Sequence, residues 1–223
     1  MDLFGGAGIS PNTVALVGAL GALPFVLISL TSFVKLAVVL SLLRQALGIQ
    51  QIPPNIVIYS IAVVLSVYVM LPVALQVSDI ITESLKKKEV IYTKVDKLAE
   101  PFVGFTEKHT FPSQERFFRD TASRLWGDDG PKYLEKADNS PAFRLIFLMP
   151  AFMISELTRA FQIGFLLYLP FIVIDLIVAN VLLALGMSTL SPVTISLPIK
   201  LLLFVGLDGW KRLLEALVLS YAG

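Results

Sequence analysis

Residues 155–175 read SELTRAFQIGFLLYLPFIVID. Within twenty-one positions they set Glu156, Arg159 and Asp175 among leucines, phenylalanines and isoleucines, with Gly164 and Pro170 between. The run has the composition of a bilayer-crossing helix, yet each charge would cost about 2.5–3.5 kcal/mol at the centre of a lone span. Glu156 and Arg159 are three residues apart, so a helix puts them on one face and lets them pair. The helix must therefore be sheathed in protein or water at these points rather than in lipid alone.

Outward from this stretch the apolar character holds from Phe143 to Met187, about twice the roughly 20 residues needed to cross a membrane. Arg144 and Pro150 are the other interruptions. Asn139-Ser140-Pro141 reads as a hydroxyl cap with proline in the first turn. At the far end, Gly186-Met187-Ser188-Thr189-Leu190-Ser191-Pro192 reads as a helix stop on glycine and a new start capped by Ser191. A last apolar run, Ile195 to Leu219, carries Lys200, Asp208 and Lys211. Phe143, Phe147, Phe152, Phe161, Phe165 and Phe171 are expected in the core or at an interface.

The N-terminal part repeats this style. Ser10-Pro11 reads as a helix start. The apolar pattern from Thr13 to Gly48, broken only by Lys35 and Arg44, predicts one helix of about 50 Å kinked at Pro24. Ala15, Gly18, Ala19, Gly21 and Ala22 would form a small-residue face for close helix contact. After Pro53-Pro54, Asn55 is expected to cap a second apolar helix, Ile56 to Val77, with Pro72 inside. No positively charged region precedes the first apolar run, so a retained N-terminus is expected rather than a cleaved signal.

Residues 78–140 are a different material. Of 18 Lys+Arg and 17 Asp+Glu, 11 and 12 respectively lie between Val77 and Arg144, whereas the whole chain of 223 residues is 56% hydrophobic and 16% charged. Its mean hydropathy is +0.78. Such values lie on the apolar side of soluble domains. The middle region, with its Lys86-Lys87-Lys88 cluster, reads as short amphipathic helices punctuated by Pro101, Pro112 and Gly127 to Pro131. The expected organisation is all-α: an N-terminal hydrophobic hairpin over 1–77, a polar helical and periplasmic region over 78–140, and C-terminal hydrophobic helices over 141–223 with a pore-side break near 186–192. Lys35 and Arg44, with no acid near them, vote for a cytoplasmic first connection.

Enzyme and ligand signatures are missing. There is no cysteine, one histidine (His109), no phosphate-binding glycine loop, no metalloprotease helix and no serine-hydrolase elbow. A formal net charge of +1 gives no nucleic-acid footprint. No enzyme activity, cofactor or metal is expected. Lys35, Arg44, Glu156, Arg159, Asp175, Lys200 and Asp208 are candidates for ionic contacts between helices or between subunits. The prolines at 24, 72, 150, 170, 192 and 198 admit two readings, packing kinks or a gating break lining a conduit. Gly186 and Met187 are the candidates for the latter, because a ring of soft, unbranched methionines could close a channel and still deform.

Three strings carry a family resemblance. TSFVKLAVVLSLLRQALGIQQIPPN over 31–55, the 155–175 stretch, and Ser191-Pro192 through Ser196–Phe204 to Asp208-Gly209-Trp210 resemble the R subunit of the type III secretion export gate, a relative of the flagellar export protein FliP. The resemblance implies a homo-pentamer joined by S and T subunits, four and one in number. Together they form a cone that passes unfolded secreted proteins across the bacterial inner membrane. It implies multi-pass insertion with the assembled complex projecting to the periplasm, and contact with other export apparatus membrane proteins. In that family a run of methionines after the glycine forms a constriction. Here the run is Met187-Ser188-Thr189, so only Met187 is carried over. That departure leans toward the virulence branch rather than the flagellar one. The alternative is a self-contained secondary membrane transporter, which would need inverted repeats and an intramembrane binding site; the sequence offers neither.

Overall fold

The computed structural model describes residues 28–49, 52–87 and 94–222, with positions 18, 21 and 24–26 before them. Among these the fold is all-helical. Helix α1 spans Phe33–Ala46, α2 Asn55–Lys86, α3 Val95–Lys108, α4 Pro112–Leu125, α5 Gly130–Asn139, α6 Pro141–Ala184, α7 Pro192–Gly206 and α8 Gly209–Leu219. The expected start at Ser10-Pro11, the alanines of the small-residue face and Lys88 lie outside the described residues; a Cβ added at Gly18 or Gly21 would point into open space.

The expected continuous helix from Thr13 to Gly48 is corrected: a turn at Leu30–Ser32 separates the helical positions 24–26, 28 and 29 from α1. The hydroxyls explain the break. Ser29 and Thr31 donate to the Phe25 and Ile28 carbonyls, and the Thr31 oxygen also accepts from Phe33 N. Such local bonds compete with the helical ladder. Ser32 is meanwhile drawn inward to Ser66 of α2, 3.1 Å away. At its other end α1 closes on Gly48 at φ 79°, the left-handed stop its sequence predicts.

Helix α1 is the centre of the molecule. Leu36, Val39, Leu40, Leu43 and Ala46 recur at helical spacing and are buried against Ile58 and Ala62 of α2, Ala160 and Phe171 of α6, Phe204 of α7, and Leu213 and Leu217 of α8. The approach of α1 to α6 is tight at Gly164, where an added Cβ would lie 2.3 Å from Leu42 Cδ1. In α2 only a narrow stripe, Ile58, Ala62, Ser66, Met70 and Val73, and then Ser84 near its end, is buried. The opposite face leaves Val63, Val64, Val67, Tyr68 and Leu75 exposed.

Four features differ from expectation. Asn55 does not cap α2: Pro54 holds that position, and the Asn55 side-chain oxygen accepts from Arg44 at 2.6 Å, so it is not available to the helix. Helix α2 also runs past Val77 to Lys86, because Ser78–Lys86 contains neither glycine nor proline, and its one buried polar side chain, Ser84, donates to the Ile80 carbonyl. Pro101 does not punctuate; it sits buried inside α3. The final run is broken at Asp208, φ 53°, where α7 and α8 meet at 62°.

Helix α6 is the spine. Ser140 caps it, accepting from Phe143 N, with Pro141 in the first turn, as the sequence predicts. Asp96 of α3 accepts from both the Ser140 hydroxyl (2.5 Å) and Ala142 N (3.2 Å), which holds its carboxyl below the ordinary value. Arg144 reaches Glu107 at 2.7 Å and Glu115 at 3.7 Å, tying α3 and α4 to the spine. The helix then continues through Pro150 and Pro170 without ending, 44 residues or about 66 Å in length. Helices α2 and α6 are each long and apolar enough to cross a membrane, and α7 with α8 make a third if the bent pair counts as one span.

Candidate functional site

Two buried ionic sites hold five of the seven ionic candidates. In the first, Glu156 of α6 is 0% exposed and Lys35 of α1 1% exposed, with Nζ 3.5 Å from Oε2. Arg159 Nη1 donates to Glu156 Oε1 at 3.0 Å and also to the His109 carbonyl. Tyr221, which follows α8, donates its hydroxyl to Glu156 Oε2, and that hydroxyl lies 3.4 Å from the Ser32 carbonyl. The Tyr221 ring is a second partner for Lys35, whose ammonium sits 3.4 Å from its centroid. The Arg159 guanidinium lies 4.3 Å over the Phe111 ring.

Around this cluster the packing is aromatic. The Tyr221 ring stacks on Phe105 at 5.9 Å and meets His109 edge-on at 5.0 Å, while Phe105 packs on Phe152 at 5.8 Å. Phe111 N donates to Ser155 Oγ at 2.9 Å. A single carboxylate thus receives Lys35, Arg159 and a phenol, and joins α1, the end of α3, α6 and the segment after α8. His109 is 6% exposed. Burial first, then the cations Lys35, Lys108 and Arg159, lower its pKa to about 4, so it is neutral.

The second site lies at the C-terminal end of α1. Lys200 of α7, 3% exposed, donates to Asp175 Oδ2 of α6 at 2.6 Å and to the Ala46 carbonyl at 3.3 Å. Ser196 donates to Asp175 Oδ1 at 2.5 Å. The ammonium thus neutralises Asp175 and satisfies an otherwise orphaned carbonyl at the negative end of α1.

The remaining candidates stand apart. Arg44 makes no ion pair among the described residues; it donates to the Pro53 carbonyl at 3.3 Å and to Asn55, closing the loop between α1 and α2. Asp208 is exposed at the α7–α8 bend, without a side-chain bond to the helix it precedes. Gly186 adopts φ 72° and ends α6 with paired bonds, Gly186 N to Leu183 O and Met187 N to Leu182 O. This is the 6→1, 5→2 pattern of a glycine-terminated helix. Met187 beyond it is 44% exposed. Ser191 precedes α7 as expected, but its hydroxyl makes no capping bond. The turn therefore presents Met187, Ser188, Thr189 and Leu190 outward, away from both ionic sites.

Sequence reasoning missed Tyr221, His109, Ser32 and Ser66. A lone histidine in a polar region and a tyrosine beyond the last apolar run carry no periodic or charge signal, and their partners are 65 or more residues away in sequence for Tyr221. Among the described residues no group of three or more His, Cys, Asp or Glu is arranged to hold a metal.

Comparison with known proteins gives a consistent result. The FliP family matches residues 16–217. The chain is 49% identical over 215 residues to "Yop proteins translocation protein R" of Yersinia pestis, covering 95% of this chain and 96% of that protein. It is 43% identical over 208 residues to "Harpin secretion protein HrpW" of Pseudomonas syringae pv. syringae, covering 92% and 97%. It is 42% identical over 211 residues to "Virulence protein YscR" of Salmonella typhimurium, covering 94% and 95%.

Proposed function

Because this chain belongs to the FliP family, we propose that it is a pore-forming subunit of a type III secretion export gate, active as a ring of copies in the bacterial inner membrane. The ring, about five copies joined by the S and T subunits, passes unfolded secreted proteins toward the periplasm. It performs no bond chemistry; energy comes from partners or the membrane potential.

One observation carries this reading. Helix α6 is about 66 Å long, against an apolar slab of about 30 Å, and it leaves Phe161, Phe165, Leu166, Leu169, Ile172, Val173, Leu176 and Ile177 exposed. The first part of α6 packs on the chain's own α3 and α4, but the exposed apolar face goes on past Ile177 to Val181, Leu183 and Leu185, about 36 Å from Phe161, so one slab does not cover it and the excess needs protein. The exposed face of α2 makes the same demand. Sister copies on these faces, around a central water path, meet it.

The exposed turn after Gly186 is the natural constriction, because symmetry would gather one Met187 from each copy. Single-channel recording of the extracted complex in voltage-clamped bilayers tests this. Met187→Ala should raise the resting ion leak several-fold. Conductance equal to the parent's would remove Met187 from the gate.

A further inference from the structure

We propose that Tyr221 and His109 form a proton-sensitive latch that holds the break at Leu30–Ser32 closed. This goes beyond the export reading, and it holds whatever the assembled protein conducts.

Tyr221 is not part of a helix, yet it is only 8% exposed. Its hydroxyl engages Glu156 and approaches the Ser32 carbonyl; its ring faces carry Lys35 and Phe105, and its edge meets His109. Ser32 lies in the turn that interrupts the first helical segment, and its side chain is bonded to Ser66. One phenol thereby clips the segment after α8 onto the break, onto α6 and onto the end of α3. Withdrawing it would leave the Ser32 carbonyl with Leu36 N as its one partner, uncover Lys35 and leave Glu156 with two donors instead of three.

His109 is the group placed to eject it. The charged and titratable groups that face it are Lys35 from α1, Lys108 from its own helix, Glu156 and Arg159 from α6, Tyr221 from the tail and Tyr68 from α2. Among these the one carboxylate, Glu156, is already occupied by Lys35, Arg159 and Tyr221. A proton on His109 would add a cation to an aromatic cage already crowded with cations, with no anion to receive it. A path for the proton exists: a cavity of about 460 Å³, lined by Tyr68, Pro72, Lys108, His109 and Tyr221, opens beside the ring.

The sign follows from where the proton binds. With the latch closed the imidazole titrates near 4; released, it returns to its ordinary 6.5. Between these values the open form holds more protons, so the closed form is at full strength above about pH 6.5 and weakens as pH falls. Linkage raises the opening equilibrium about 30-fold between pH 7.5 and pH 5.

Amide hydrogen exchange on the full chain within its extracted complex, corrected for intrinsic rates, reads this directly at Ser220, Tyr221 and Ala222. Their amides bond to Ala216, Val218 and Leu219. Protection there should fall by roughly 30-fold from pH 7.5 to pH 5. His109→Gln should flatten the response. Tyr221→Phe should lower protection at pH 7.5 and keep the pH response. Since the chain has one histidine, its NMR titration in the unmutated protein gives a check without substitution: a midpoint well below 6.5. Constant protection across this range, the same response in His109→Gln, or a midpoint at the ordinary value would each overturn the latch.

Discussion

A carboxylate with three donors and no exposure, as Glu156 has, is a poor source of net stability and a severe liability if changed alone. Removing water from both ions of a pair costs several kcal/mol each, and their attraction does little more than return it. Removing one partner leaves the other charge buried. Glu156→Leu strands Lys35, Arg159 and the Tyr221 hydroxyl, and should cost about 3–5 kcal/mol. The readout is recovery of folded, assembled complex after extraction, which should drop sharply. Adding Lys35→Met to Glu156→Leu should restore part of it, because the stranded ammonium is gone. Equal recovery of Glu156→Leu and the parent would contradict the buried position of this side chain. The Tyr221 ring beside Lys35 and the Phe111 ring beneath Arg159 help so polar a cluster sit next to the core of α1.

The same residues show what a sequence can and cannot reveal. Lys35, Glu156, Arg159, Asp175 and Lys200 announce themselves because charge inside an apolar run must be compensated. Which charge meets which is settled by helix packing: Glu156 joins Arg159 three residues on, but also Lys35 from the far end of the chain, and Lys200 finds Asp175 together with the end of α1. Tyr221 was illegible, since nothing in its neighbourhood signals burial. Arg44 was legible as a cation but not as a clasp for uncharged loop groups.

At the scale of elements, helix ends were easier to read than helix interiors. Proline after serine marked the start of α6, and glycine marked the ends of α1 and α6, because backbone geometry there admits few residues. Prolines 150 and 170, which the sequence left open as packing kinks or a gating break, lie inside α6 without ending it: a long packed helix tolerates the loss of a bond that would end an isolated one. The break at Leu30–Ser32 combines local bonds from Ser29 and Thr31 with tertiary ones from Ser66 and Tyr221, and the tertiary ones no local pattern encodes. Gly186 offers a test at this scale. Its φ of 72° closes α6 and sets the course of the turn. Gly186→Ala should lower stability by about 1 kcal/mol, read as a drop in the thermal midpoint of the detergent-solubilised protein, and Gly186→Asn should lose less. Equal midpoints for all three would mean the turn relaxes without the left-handed residue.

The whole molecule, taken alone, is unfinished. Its buried core gathers along α1, whereas α2 and the distal half of α6 carry long apolar faces with no partner among the described residues. A self-contained transporter would turn such faces to lipid over one bilayer thickness; a ring subunit turns them to its sisters over a greater length. Native mass spectrometry of the complex extracted in mild detergent decides between these. A mass equal to about five copies of this 24.4 kDa chain, together with two kinds of smaller partner, is the predicted result. A stable monomer or dimer that retains its fold and carries no partners would contradict the account.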